Sequence, residues 1–413
     1  MPDNLRLNNK KRSITISNIQ FFSFLIFLLC MEPPVFQKAA YFNGIYKVFG
    51  VLKIGIIAIV IVSVFVKSKF SKKDIKNLLL LICIFLFQIV ATIVNRGELI
   101  SAINLSVTTI TPCLWLILNK NSIESIMKVF KNYLYVLVFL NFLSIIIFPN
   151  GLIMTKNMWN KTDPQWILSL GNSMAPYILA TALFSLIALS EKKQLKSKII
   201  DLVILMMCLL TAIFVDSATL IGSMLLFLIL SIYKSISKKE KINTNINLYI
   251  IAVIIITIII VVLRNLSIFS YFIVNILQRD LTLTSRLRIW DKSIEAIMQK
   301  PAIGYGFMNS QAVQSMLLAS HQHNYYLHIM FQGGILSFSM FSLLLNQSRS
   351  VLSKLHTKKA AYLSICILCF LITFISESYG EGTYIIPFYM VIIYSIYAEK
   401  AEERNVFNSN ALL

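Results

Sequence analysis

Long runs of apolar residues alternate with short polar segments along almost the whole chain. Windows of about 17–22 predominantly apolar residues, the length with which an α-helix crosses a bilayer, occur about twelve times. Backbone polar groups in lipid must be satisfied within the segment, so these windows predict helices. They lie near Ile14–Met31, Ile45–Val66, Asn77–Val94, Ile100–Leu118, Val129–Phe148, Ser173–Ser190, Ile199–Val215, Ser217–Tyr233, Ile246–Leu263, Asn324–Leu345, Ala360–Ile375 and Tyr384–Ala398. The pattern predicts an all-α, polytopic integral membrane protein.

Composition and charge support this class and limit the partners. The chain of 413 residues is 57% hydrophobic and 14% charged, whereas soluble proteins carry about 25% charged residues. A net charge of +20 is compatible with nucleic-acid binding, but most lysines and arginines fall in every second loop. That distribution follows the positive-inside rule and places both termini in the cytoplasm. We therefore expect anionic lipid of the bilayer, and no nucleic acid, as the partner of this charge.

The hydropathy pattern indicates a single membrane domain, residues 1–413, with one long extracytoplasmic loop, residues 264–323. Loops of this length between spans are usually functional or disordered. Here Ser285 is placed to cap a helix that ends before Pro301. The apolar face of that helix contains Leu287, Trp290, Ile294 and Ile297. The sequence predicts an amphipathic helix lying on the outer surface with its apolar face down.

Positive charge in this outer loop runs against the topological bias and suggests an anionic ligand. Arginine suits phosphate because its planar fork donates two parallel hydrogen bonds. An alternative is pairing along the helix, Arg288 with Asp291 and Lys292 with Glu295. Two glycines after the helix are able to offer N–H groups to an anion, although a tight turn explains them equally well. The candidate phosphate-binding residues are Arg264, Arg279, Arg286, Arg288, Gly304 and Gly306.

Three of the four histidines, His321, His323 and His328, lie where this loop meets the next span. Imidazole titrates near neutral pH, so the cluster is a candidate for proton transfer; the alternative is interfacial histidines that reach water. No third acidic or thiol ligand is nearby in sequence, so we predict no metal site. Glu377 and Glu381 lie in the last outer turn. They are candidates to anchor the arginines or to act as a base, or they belong to a solvated turn.

The order of these motifs resembles the bacterial O-antigen ligase and polymerase superfamily, the Wzy-type polysaccharide polymerases. TSRLRIWDKSIEAIMQKPAIGYGF and then HQHNYYLHIMFQGGI show an arginine and a tryptophan on a helix, a P-x-x-G-x-G turn and a His-Asn-x-x-Leu run opening a span. GNSMAPY also looks like the family. The matching positions are Arg286, Trp290, Pro301, Gly304, Gly306, His323, Asn324, Leu327 and Gly334. The chain departs from ligase relatives at Ser217-Ala218, where they often carry Ser-Arg; Arg264, Arg279 or Arg96 could substitute.

The resemblance implies a membrane glycosyltransferase of GT-C type in the bacterial cytoplasmic membrane. Its substrates would be glycans linked to undecaprenyl diphosphate, joined at the outer face into O-antigen, capsular polysaccharide or exopolysaccharide. In this reading His323 is the general base or orients the acceptor, His321 is the second candidate, and Asn324 orients substrate or caps the span. No cofactor is expected, because the lipid diphosphate is already activated. A chain-length regulator and a flippase are candidate partners.

Three alternatives stay open at the level of sequence. A ligase would move finished polymer to another acceptor with the same motifs. A flippase or transporter for lipid-linked oligosaccharides would often show two related halves, and no internal repeat is evident. A non-catalytic scaffold of an export complex is the third.

Overall fold

The computed structural model describes residues 17–38, 40–66, 70–156, 162–191, 195–236, 246–263, 271, 286–380 and 382–399. In these residues the protein is a bundle of helices with one small hairpin. The helices are α1 (17–30), α2 (Val35–Lys38), α3 (Asn43–Val66), α4 (Lys72–Val94), α5 (Leu99–Leu118), α6 (Ile123–Ile147), α7 (Ala175–Glu191), α8 (Leu195–Phe214), α9 (Ala218–Ile236), α10 (Ile246–Thr257, continued by a π-helical turn Ile258–Val262), α11 (Arg286–Gln299), α12 (Ser310–Leu317), α13 (Tyr325–Leu352), α14 (Lys358–Ser376) and α15 (Ile386–Ile396). The hairpin pairs β1 (Ile153–Lys156) with β2 (Thr162–Gln165) in antiparallel register.

The helical membrane class predicted from the sequence is confirmed. Among the described residues, nine helices are long and apolar enough to cross a membrane, and two shorter apolar helices accompany them. Helices α7, α14 and α15 form the centre, where nearly every side chain is buried. Helix α3 instead exposes most of its apolar side chains. An apolar face of that size is stable only against lipid or another protein.

Two groups of polar residues mark the two ends of this bundle. The site end is formed by residues 95–98, 166–174, 215–217, 286–324 and 377–380. At the opposite end, three carboxylates each contact a lysine and a tyrosine hydroxyl. These clusters are Asp74 with Lys120 and Tyr397, Glu124 with Lys359 and Tyr394, and Asp201 with Lys131 and Tyr135. Ion pairing of this kind keeps charges at a helix end compatible with partial burial.

Helix α13 is broken at Gly334, which has φ +60° and ψ −164°. In a continuous helix the N–H of Ile335 would donate to the carbonyl of Phe331, four residues earlier. Here Ile335 donates to Pro301 at 2.8 Å instead, and the freed carbonyl of Phe331 accepts from Tyr305 at 2.7 Å. The segment 301–306 therefore pairs with the broken turn of the helix through backbone hydrogen bonds. Irregular backbone is tolerated at such depth because its polar groups stay paired.

Replacing Gly334 with alanine is expected to destabilise this junction. A Cβ at Gly334 would overlap the carbonyl of Ala302, and the backbone conformation there is one that only glycine adopts readily. The strain alone costs about 1–3 kcal/mol, so the purified protein should melt at a lower temperature. Gly55→Ala is the matched control, because nothing lies within 4 Å of its added Cβ. Equal melting temperatures for both variants would contradict the pairing of segment 301–306 with α13 at Gly334.

The amphipathic helix predicted in the outer loop is present as α11, and its predicted apolar residues Trp290 and Ile297 are buried. Trp290, Ser293 and Ala296 are buried and pack toward α13, while Leu287 and Ile294 are only partly buried. The prediction that the apolar face lies against the bilayer is therefore corrected. The buried stripe packs on protein, so α11 is held at a fixed place beside the start of α13.

Candidate functional site

Glu377, directly after α14, is the point at which the site residues meet. Its side chain is 6% exposed. Oε1 accepts a hydrogen bond from Arg286 Nη2 at 2.5 Å and from Thr219 Oγ1 at 3.3 Å. Oε2 lies 3.9 Å from His323 Nδ1. That second distance is within ion-pair range and too long for a hydrogen bond. The carboxylate thus links α11, the start of α9 and the segment 318–324 between α12 and α13, which is called the histidine loop below.

The electrostatics of this carboxylate depend on its neighbours. Burial by itself raises the pKa of Glu377, but the Arg286 guanidinium and then the His323 imidazole outweigh it, and the pKa of Glu377 ends below its usual range. A buried carboxylate without a partner would protonate or unfold its surroundings. Glu377 is therefore an anion at neutral pH and fixes the position of the Arg286 guanidinium.

His323 has an unusual backbone, with φ +48°. Positive φ is uncommon for residues other than glycine and is found disproportionately at functional sites. Trp290 Nε1 lies 3.4 Å from the His323 carbonyl and donates to it. Nδ1 of His323 is buried and has no hydrogen-bond partner, while the side chain as a whole is 28% exposed. The exposed part of the side chain therefore lies away from Nδ1.

His321 is close to His323, with the two ring centroids 4.0 Å apart. Its Nδ1 is 2.9 Å from Ser320 Oγ. Burial, followed by the nearby His323, His328 and Arg286 charges, holds the pKa of His321 well below its usual range. The His321 imidazole is therefore neutral at neutral pH, and a neutral ring is able to accept a proton.

Asn324 and His328 are buried beneath this loop. Asn324 is 0% exposed; its Oδ1 caps α13 by accepting from the Leu327 N–H at 3.0 Å, and its Nδ2 donates to the Ile375 carbonyl at 2.9 Å. Of the two roles expected for Asn324, the structure shows the capping of α13, and the same side chain ties α13 to the end of α14.

Three of the expected phosphate ligands are placed elsewhere by the structure. Arg288 is exposed and lies two residues from Arg286, so it projects from a different face of α11. Gly304 and Gly306, at φ +72° and +74°, donate their N–H groups to the carbonyls of Lys300 and Gln332. These N–H groups are not available to an anion. The glycines instead allow close packing, because a Cβ on Gly304 would come within 2.5 Å of the Phe331 carbonyl.

Three further candidates, Arg264, Arg279 and Glu381, lie outside the described residues. Arg96 is exposed in the turn after α4. Among the residues that the structure does describe, no group of three or more histidine, cysteine, aspartate or glutamate side chains is arranged to hold a metal ion.

Comparison with known protein families adds one finding. Residues 166–342 match the family model described as O-antigen ligase. This region is similar to the O-antigen ligase family. The resemblance seen in the sequence is therefore confirmed, and the match supports glycan transfer of the O-antigen ligase and polymerase type by a membrane glycosyltransferase-like enzyme. The comparison with curated proteins found no match, and neither did the comparison with solved structures.

The O-antigen ligase-family region contains Arg286 and His323 but ends before Glu377. The residue that joins the two therefore comes from the helix pair that follows the matched region. Several residues of this contact network were not singled out by sequence reasoning. Ser217 Oγ donates to Asn172 Oδ1 at 2.5 Å, and the Tyr379 hydroxyl donates to the Asn172 carbonyl at 3.4 Å.

Together with the Thr219 hydrogen bond to Glu377, these contacts fasten the starts of α7 and α9 to the turn after α14. The sequence signal for them was slight. GNSMAPY and Ser217 were noticed only as family features, and Thr219 is one of many threonines in apolar segments. The O-antigen ligase-family region thus contributes most of the frame that holds Glu377.

Proposed function

We propose that the protein polymerises oligosaccharide repeat units linked to undecaprenyl diphosphate, at the outer face of the bacterial cytoplasmic membrane. The observation that carries this proposal is the cluster in which Glu377 contacts both Arg286 and His323. A cation and an imidazole held by one buried carboxylate are the groups that transfer from a lipid diphosphate requires. The O-antigen ligase-family region around them supports the same reaction class.

In the proposed reaction the donor is the growing glycan on undecaprenyl diphosphate. A hydroxyl of the acceptor sugar attacks the anomeric carbon of the donor. A new glycosidic C–O bond forms, the bond from that carbon to the phosphate oxygen breaks, and undecaprenyl diphosphate leaves with the bonding electrons. Stabilising the charge that develops on the leaving group is usually the largest catalytic contribution.

Arg286 is suited to that stabilisation. A guanidinium has five N–H donors, and the structure places Nη2 on Glu377. The side chain is 17% exposed, so its remaining donors are able to meet a diphosphate at the site end. Holding the guanidinium in place beforehand reduces the entropy that it would otherwise lose on binding.

His323 is the proposed base. It takes the proton of the acceptor hydroxyl, and Glu377 then stabilises the resulting imidazolium across the 3.9 Å separation. Contacts between catalytic groups are often long in the free enzyme and tighten to hydrogen bonds when substrate binds. His321, neutral and adjacent, is the second candidate for the same proton.

Polymerisation and ligation share this chemistry and differ in the acceptor, so the products separate them. Purified protein in lipid nanodiscs, given only a lipid-linked repeat unit, is expected to produce a ladder of products spaced by one repeat on a gel. In cells, loss of the protein should leave single repeat units. A ligase would give no ladder from the repeat unit alone, and its loss would leave unattached polymer; either result would contradict the proposal.

A further inference from the structure

A cavity of about 410 Å³ lies at the site end, next to the segment that carries the histidines. It is bounded by α3, α5, α12 and the first half of α13. Ser320 and Gln322, which flank His321 in the sequence, are part of its wall. The cavity therefore begins at the residues that carry the candidate base. Its volume is within the range of about 300–1,000 Å³ for small-ligand sites.

Two residues of the cavity wall have a buried polar atom without a partner within the protein. Thr108 is 2% exposed and His328 is 3% exposed, and neither Thr108 Oγ1 nor His328 Nε2 makes a hydrogen bond. His328 Nδ1 is 2.7 Å from Gln322 Oε1. Because that oxygen is an acceptor, Nδ1 carries the proton and Nε2 presents a free lone pair. Nε2 of His328 packs against Gly380, which is not part of the cavity wall. Buried polar atoms normally have partners, so the unpaired hydroxyl of Thr108 in this wall points to a ligand.

The charge of the cavity wall argues against a phosphate. Its charged residues are Lys53 and Glu98, and Lys53 is already paired with the buried Glu32 at 2.9 Å. A diphosphate would have no free cation here. The other groups in the wall are mainly hydroxyls and amides, with the aromatic rings of Phe307 and Phe331. Hydroxyls and amides both donate and accept, and an aromatic face packs against C–H groups. This is the chemistry of a neutral sugar.

We propose that this cavity binds a pyranoside, and that the Thr108 hydroxyl holds a hydroxyl group of the acceptor sugar. Its role as acceptor rests on the proposed function. The Arg286 cluster would take the donor diphosphate, and the cavity would take the acceptor. The hydroxyl that loses its proton would then lie between them, next to His321 and His323.

Binding of simple glycosides tests the cavity without requiring catalysis. The probes are the methyl glycosides of glucose, galactose, N-acetylglucosamine and rhamnose, measured by saturation-transfer NMR on the full-length protein in nanodiscs. At least one of them is expected to bind. Thr108→Val should weaken that binding about fivefold, the effect of one lost hydrogen bond. The variant removes an unpartnered buried hydroxyl, so it costs no hydrogen bond within the protein.

Thr109→Val is the matched control. Thr109 Oγ1 is also buried and without a partner, but Thr109 is not part of the cavity wall, so glycoside binding should be unchanged. Binding of no glycoside, or equal affinities for the two valine variants, would overturn the proposal. Undecaprenyl diphosphate added without sugar should leave the glycoside bound; displacement would overturn the acceptor assignment.

The result of the glycoside-binding experiment can be distinguished from the result of the polymerisation experiment. Arg286 and His323 are not in the cavity wall, so variants at these positions that keep the fold should bind the glycoside normally. If such variants retained polymerisation, the proposed function would fail, and the sugar site would still be judged by Thr108 and Thr109 alone.

Discussion

Replacing His323 with asparagine is expected to lower the rate of polymerisation in vitro by about 10²–10⁴-fold, the usual contribution of a general base. Asparagine is chosen because it tolerates the positive φ of this position better than alanine does. The hydrogen bond from Trp290 goes to the His323 backbone carbonyl, so the substitution preserves it. The protein should therefore remain folded in the membrane, and the loss should appear in the rate of the single-turnover reaction.

His356→Asn is the matched control for this experiment. His356 is exposed in the turn between α13 and α14, at the opposite end of the bundle, so its replacement should leave the rate unchanged. Full activity of His323→Asn, combined with loss of activity in His321→Asn, would show that the proton goes to His321. Full activity of both variants would remove the histidine loop from the mechanism.

Replacing Arg286 with alanine should impair both folding and transfer, whereas Arg288→Ala on the same helix should do neither. Loss of Arg286 leaves Glu377 buried without its cation, and breaking a buried pair costs about 3–5 kcal/mol. Loss of charged hydrogen bonds to the diphosphate, about 1.5–3 kcal/mol each, would reduce the rate further. Melting temperature and polymerisation rate of the two purified variants are the measurements. Similar results for both arginines would contradict the ion pair of Arg286 with Glu377 and the exposed position of Arg288.

A double variant separates the two effects of Arg286. In Arg286→Met with Glu377→Gln, neither charge remains, so the cost of an isolated buried carboxylate disappears and the melting temperature should recover. Polymerisation should stay low, because no cation meets the diphosphate. Recovery of activity along with stability would mean that Arg286 only supports the fold.

The sequence predicted the membrane class because this class depends on a local pattern. Runs of about 20 apolar residues identify spans whatever they pack against. Arg286 and His323 stood out by their order within one loop. Arg288 stood out equally, because composition cannot tell which side of a short helix faces the site. That α11 packs on protein and not on the bilayer was not predicted, because an apolar face suits either surface; the small residues Ser293 and Ala296 are buried in the same contact.

The role of Glu377 could not be obtained in this way. It is 91 residues from Arg286 in the chain, and an acidic residue in a short turn is equally consistent with solvation. Only the three-dimensional packing of α11, α13 and α14 brings its carboxylate to Arg286 and His323. The unpaired atoms of Thr108 and His328 could not be predicted either. The sequence of an apolar span does not show whether a neighbouring group forms a hydrogen bond with a hydroxyl or an imidazole in it.

The break in α13 has a consequence for biosynthesis. The segment 301–306 is synthesised before α13, and it can pair with α13 only where the hydrogen bonds of that helix open at Gly334. A nascent span in lipid cannot leave four backbone groups unpaired, so α13 should enter the bilayer as an uninterrupted helix. It would then exchange its own hydrogen bonds for those to Pro301, Ala302, Tyr305 and Gly306. Assembly of the candidate site would thus be a late step of maturation, following insertion of the individual spans.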